Sequence, residues 1–343
     1  MIGHLHKGVN GKSVILRQFN YLGQTISSVS LHVLTHHAAA ERGQNDKNNK
    51  MREAIIGAII NDCVPATYYR TERWSALKNA VDGFLHECAG ARYSRVECIH
   101  AAGRGHNYDF TVQFFPDGGD TATTATTATT AVSVCNVEFK FNAAKVSDTP
   151  QFVSPMKPSQ YLSASYEEYF YDKYLMSINE AAAGASAAAA IPDRAEWLKQ
   201  IHNNAPVCVK HLQDKYYAGC ANSSQFTNAA DDIAFYELCK KVSTESIRAF
   251  ISEHDLDIVK LTKYLRESQD GKTYMLFQPA SAFAPAPTIT LQRVDPADYN
   301  IVSCVKNPKK SRYECETQSG KKINVLLRWK NGNGIAFPAF QIS

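Results

Sequence analysis

Tyr108-Asp109-Phe110-Thr111-Val112-Gln113-Phe114-Phe115 and, after a long interruption, Cys135-Asn136-Val137-Glu138-Phe139-Lys140-Phe141 are the stretches whose reading decides the fold. Phe110, Val112 and Phe114 alternate with Asp109, Thr111 and Gln113, and Val137, Phe139 and Phe141 alternate with Glu138, Lys140 and Asn142. A period of two sends every second side chain to the same face of an extended chain, so both stretches are predicted strands with one apolar and one polar face. If they pair with their apolar sides on one core, Asp109, Glu138 and Lys140 emerge together on the opposite face.

Carboxylates held close together raise each other's pKa unless a cation sits between them. Hard oxygen ligands of this kind suit Mg²⁺, which is usually completed by water and by substrate phosphate oxygens. A lysine two residues beyond the glutamate points the same way, where it can orient a water or neutralise charge building on a phosphoryl group. Asp, then Glu-x-Lys, is a constellation suited to cleaving phosphodiesters. The plainer reading is an exposed strand face whose Asp, Glu and Lys are solvated cross-strand partners.

Asp109, followed on a second strand by Glu138-Phe139-Lys140, resembles the signature of the PD-(D/E)XK nuclease superfamily, to which type II restriction endonucleases belong. The resemblance covers roughly residues 92 to 142, with the glycine-bearing turn Gly103-Arg104-Gly105 ahead of Asp109; Tyr108 stands where the signature has proline. It implies an α/β fold of the α+β, mixed-sheet kind: a restriction-endonuclease-like core sheet flanked by helices. It also implies a Mg²⁺-dependent endonuclease, with Mn²⁺ able to substitute, hydrolysing double-stranded DNA, sequence-specifically in the restriction type, and acting as a homodimer. Asp109 and Glu138 are then the metal ligands, with Lys140 as the third catalytic residue. Members of the family often carry a further glutamate on a helix ahead of the sheet. Glu53 is the candidate, because it lies at the border of the apolar stripe Met51, Ile55, Ile56, Ile59 and Ile60 rather than on the solvent side. Glu87 falls off the apolar face of its own predicted helix, Arg73 to Cys88, and ranks below Glu53.

Composition permits this without demanding it. The 343 residues are 44% apolar and 20% charged, ordinary for a globular protein, and the net charge of +4 gives a weakly basic field compatible with nucleic acid. Nine cysteines without a Cys-x-x-Cys pair give no zinc-finger spacing and fit reduced thiols. No apolar run reaches membrane-spanning length, the first residues lack a signal-peptide core, and no nucleotide-binding loop is present. The expectation is a soluble intracellular protein, cytoplasmic or nuclear, with no membrane partner and no nucleotide cofactor.

Along the chain, residues 1–90 read as an N-terminal helical part, in which Asn45 to Lys50 is turn-prone. Residues 91–157 read as the catalytic sheet, interrupted by a Thr/Ala-rich loop over 116–132 that carries no hydrophobic pattern. Residues 158–270 read as helical, with an aromatic stretch from Tyr161 to Ile178 that suits burial between layers or base stacking, and a helix capped by Asp231. Residues 271–343 read as a basic β-rich region, unless all four parts form one compact domain. There Lys306, Lys309, Lys310, Arg312, Lys321, Lys322, Arg328 and Lys330 outnumber Glu314 and Glu316 on predicted hairpins. Such a ribbon suits phosphate contacts with DNA, or is simply a solvated charged hairpin. Trp329 is either a stacking ring or core, and Gln151, just beyond the metal strand, is a further candidate for DNA contact. Two other functions use the same residues: a repair or recombination nuclease that recognises DNA structure, and a DNA-binding protein of this fold without chemistry.

Overall fold

The computed structural model describes residues 4–7, 13–16, 18–35, 42–101, 106, 108–116, 133–146, 151–152, 157–183, 190–201, 209–281, 285–330 and 332–343. The turn Gly103-Arg104-Gly105 and residues 117–132 of the Thr/Ala-rich stretch lie outside the described residues. In chain order come strands β1 (His4–Lys7), β2 (Ser13–Leu16), β3 (Gln18–Tyr21) and β4 (Gln24–Ser27), then helices α1 (Arg42–Ile60) and α2 (Glu72–Ala89). Strands β5 (Arg95–His100), β6 (Phe110–Phe115), β7 (Ser133–Phe141) and β8 (Gln151–Phe152) follow. Helices α3 (Tyr166–Phe170), α4 (Met176–Ala183), α5 (Arg194–Gln200), α6 (Lys210–Gly219), α7 (Ala230–Glu253) and α8 (Ile258–Gln269) come next. The chain closes with β9 (Lys272–Gln278), β10 (Thr288–Arg293), β11 (Ile301–Asn307), β12 (Arg312–Thr317), β13 (Lys322–Lys330) and β14 (Phe337–Ile342). The architecture is mixed α/β, of the α+β kind, and none of the described helices is long and apolar enough to cross a membrane.

Two units divide the chain differently from the four-part reading. One holds residues 1–149 together with Gly271–Val294, and the other holds Pro150–Asp270 together with Asp295–Ser343. The β-rich tail is therefore split: β9 and β10 belong to the sheet of the first unit, in the order β10-β9-β7-β6-β5. β5, β6 and β7 form an antiparallel meander, β9 runs parallel to β7, and β10 returns antiparallel to β9. The reason is burial. Six of the seven residues of β9 are buried, on both faces, as a strand in mid-sheet requires.

Helices α1 and α2 cover one face of this sheet. Ile55, Ile56, Ile59 and Ile60 of α1 and Trp74, Leu77, Val81, Phe84 and Leu85 of α2 pack with Phe110, Val112, Phe114, Val137, Phe139, Met275 and Phe277 in one core. Asn45 to Lys50 is a correction: it lies inside α1 rather than in a turn, because side chains such as Lys47 and Asn49 face solvent while the helix is carried by its apolar stripe. Gly57 lets α1 lie close on β5, since a Cβ there would collide with Nε2 of His100. Beyond the helix end, Asn61 satisfies the edge strand: Nδ2 donates to the Cys98 carbonyl at 2.9 Å and to Tyr21 Oη at 2.8 Å, and Oδ1 accepts from Cys98 N–H at 2.7 Å. An edge strand so bonded offers less of its backbone to other chains.

The second unit has its own antiparallel sheet, β11-β12-β13-β14-β8, and helices α3 to α8. The aromatic stretch belongs to its core: Tyr166 and Phe170 are fully buried, and Trp329 Nε1 donates to Tyr166 Oη at 3.0 Å. Trp329, 4% exposed, is therefore core and not a stacking ring. Asp231 sits in the first turn of α7, with Ala229 at the cap position, where its charge still faces the positive end of the helix.

Candidate functional site

The register of the first sheet brings the predicted residues together. β6 pairs with β7 through Phe110↔Val137 and Thr111↔Asn136, which sets Asp109 beside the segment that carries Glu138. Asp109 N–H donates to the Val137 carbonyl at 2.9 Å, and Asp109 Oδ2 accepts from Phe139 N–H at 2.8 Å. One carboxylate oxygen is thus fixed by the backbone of the neighbouring strand. On that strand, Lys140 Nζ pairs with Glu138 Oε1 at 2.5 Å, as expected of side chains two apart on one face.

A second lysine completes the cluster. Lys272 opens β9 opposite Asn136 of β7, and its Nζ stands 3.6 Å from Glu138 Oε2. It is absent from the residues expected from sequence. The one signal was its place after Gly271 at the head of an unbroken apolar run, and nothing local says that this run lies beside β7.

Electrostatics tie Glu53 to the same place. Burial, then the negative charges of Asp109 and Glu138, push its carboxyl up to about 7. Burial and the charge of Glu138 likewise push Asp109 up to about 6, against the lowering effects of Phe139 N–H, Lys140 and Lys272. Burial pulls the Lys272 ammonium below its usual range, with Glu138 opposing. Glu53 stands on α1 in the helix layer, where the charges of Asp109 and Glu138 act on it, whereas Glu87 is exposed. Crowded carboxylates with raised pKa values beside a surface-reaching amine are characteristic of acid–base and ion-binding sites.

The donor set fits a hard divalent ion in one specific way. Among the described residues, no three carboxylate, imidazole or thiol groups are grouped so as to hold a metal between them. Mg²⁺ needs fewer: one or two carboxylates, with water and phosphate oxygens as the rest. Asp109 and Glu138 supply two, and Glu53 stands outside them.

The residues expected to contact DNA lie in the second unit. Lys309, Lys310 and Lys322 are exposed. Lys306 pairs with Asp255 at 2.8 Å, Arg312 with Glu314 at 2.6 Å and Lys321 with Asp298 at 3.7 Å. Arg328 donates to Gln341 Oε1 at 2.7 Å, and burial pulls the Lys330 ammonium down. The excess of positive charge read from the tail is therefore partly cancelled, by Asp255, which folding brings in from outside the tail, and by Asp298 within it. Gln151 is on β8, its backbone paired with Ile342 of β14, and so belongs to the second unit rather than to the sheet of β6 and β7. Comparisons with protein-family models, with curated proteins and with solved structures found no match.

Proposed function

We propose that the chain is a Mg²⁺-dependent endonuclease that hydrolyses phosphodiester bonds of double-stranded DNA, with a restriction-endonuclease-like core and sequence-specific cutting. One observation supports the reading: Asp109, at the head of β6, and Glu138 and Lys140, on β7, stand together. The helix, strand, Asp-bearing strand and Glu-x-Lys strand also follow one another in the order that the resemblance implies.

Asp109 and Glu138 would hold the ion, which when bound supplies positive charge to a phosphoryl oxygen and to the attacking water. Asp109 enters with one oxygen already oriented by Phe139 N–H, which lowers the reorganisation needed on binding. Lys140, partly exposed, can turn its ammonium from Glu138 to a non-bridging phosphate oxygen and so stabilise charge developing in the transition state. Glu53, with a carboxyl near 7, exchanges protons at physiological pH and suits a general base acting through water. Exposed Lys309, Lys310 and Lys322 supply phosphate contacts, and a homodimer would match a palindromic site.

Incubation with long mixed-sequence DNA and Mg²⁺ or Mn²⁺, followed by sequencing of the ends, tests the proposal. Discrete fragments are expected, and Asp109→Ala, Glu138→Ala and Lys140→Ala should each lower the rate by about 100-fold or more while the chain stays folded by circular dichroism. A smear or branch-dependent cutting would indicate structure-specific recognition. Cleavage by Lys140→Ala at the parental rate, or DNA binding without any cutting, would refute the assignment.

A further inference from the structure

Glu138 has a lysine at each carboxylate oxygen: Lys140 Nζ 2.5 Å from Oε1 and Lys272 Nζ 3.6 Å from Oε2. The two amines are not equivalent. Side-chain exposure falls from 20% at Lys140 to 15% at Glu138 and 5% at Lys272, so a substrate entering from solvent has access to Lys140 and hardly any to Lys272.

Burying that amine is unfavourable. Its partners are Glu138 Oε2 at 3.6 Å and the Tyr274 ring, whose centroid is 5.6 Å from Nζ. Dehydrating an ammonium costs several kcal/mol, and an apolar residue of similar length commonly packs as well or better at such a place. Packing alone therefore favours methionine at the head of β9. What the lysine adds is a fixed hold on Glu138.

Resting on the hydrolase reading above, we propose that Lys272 is a positioning residue: it keeps Glu138 in one rotamer through Oε2 while Lys140 leaves Oε1 for the scissile phosphate. The charged groups that act on it are Glu138, Lys140 and Asp109, and of the two acids Glu138 is the one in contact. Removing Lys272 frees Glu138 to follow Lys140, and the ligand loses its place when the phosphate docks. Outer partners of metal-binding side chains typically act on this scale, about 10- to 100-fold in affinity or activity.

The test uses the full chain with Lys272→Met, Lys272→Arg, Glu138→Gln and the double variant Lys272→Met/Glu138→Gln. Lys272→Met should lower kcat for Mg²⁺-dependent DNA cleavage about 10- to 100-fold with little change in KM, and Lys272→Arg should recover most of it. In the Glu138→Gln background, Lys272→Met should cost nothing further. Parental cleavage by Lys272→Met, or the same loss in both backgrounds, would overturn the proposal. A second readout needs neither metal nor DNA. In thermal melts with EDTA the double variant should melt above Lys272→Met alone, because the carboxylate stripped of its buried partner has also been removed. Additive melting temperatures would refute the contact, whatever the cleavage results. If the parental chain cuts no DNA while the melts stay non-additive, the hydrolase reading falls and takes the positioning role with it, and the contact alone survives.

Discussion

Glu53→Gln should make the metal-free protein more stable at alkaline pH and leave it unchanged in acid. The Glu53 carboxyl is pushed from 4.5 to about 7 by burial and by the charges of Asp109 and Glu138. Because the folded-state value is raised, the native chain binds the proton more tightly than the unfolded chain does. Stability is then fully present below about pH 4.5, falls as pH rises towards 7 and stays lost above it. Each tenfold difference in proton affinity between the two states corresponds to about 1.4 kcal/mol, so ionising Glu53 costs the native state roughly 3 kcal/mol at pH 8. Glutamine keeps the shape of the protonated acid and removes the penalty. The melting temperature at pH 8 should rise by about 6–12 °C, for a domain in the range where 1 kcal/mol moves it by about 2–4 °C. Thermal melts at pH 4.5 and pH 8 with EDTA read this directly, and adding Mg²⁺ at pH 8 should stabilise the parent by relieving the same repulsion. A variant no more stable than the parent at pH 8, or equally stabilised at both pH values, would show that Glu53 does not face Asp109 and Glu138.

Cleavage should depend on pH through the same groups. Ionised Asp109 and Glu53, with values near 6 and 7, are the forms that a cation favours, so the rate should rise between about pH 6 and 7 and then level. Higher Mg²⁺ should move the midpoint down, and a rate flat or falling across that window would contradict it. Asn61→Ala should destabilise the protein by about 2 kcal/mol in urea titrations, because it removes three hydrogen bonds between the end of α1 and its neighbours Tyr21 and Cys98. A loss below about 0.5 kcal/mol would mean that water replaces them. Replacing Lys309, Lys310 and Lys322 together by alanine should weaken DNA binding and reduce the slope of log K against log salt by about 0.9 per lost contact, measured by anisotropy over a salt series. An unchanged slope would remove these lysines from the interface.

Where local alternation decided the structure, the sequence was a good guide. The apolar period of two in residues 110–115 and 137–141 makes β6 and β7, and the face opposite their core carries Glu138 and Lys140 as expected. The stripe on α1 placed Glu53 at its border, and the folded chain half-buries it there within the field of Asp109 and Glu138. The reading failed where charge and polarity were counted along the chain. Asn45 to Lys50 is helical because a neighbouring stripe carries it, and the basic tail is less basic than its composition because Asp255, from outside it, pairs with Lys306. β14, in which five of the six residues are buried, gave no alternation to read.

The sequence by itself determined the two-faced strands and the helix stripes, which depend on spacing within a dozen or so residues, and the acid–acid–amine pattern, which needs only the faces of two such strands. Only the tertiary structure decided that β9 joins β7, that Lys272 therefore stands on Glu138, and that β9 and β10 leave the basic tail for the first sheet. Those outcomes depend on which buried strands pair across more than a hundred intervening residues, and a strand buried on both faces carries no periodic mark of its neighbour.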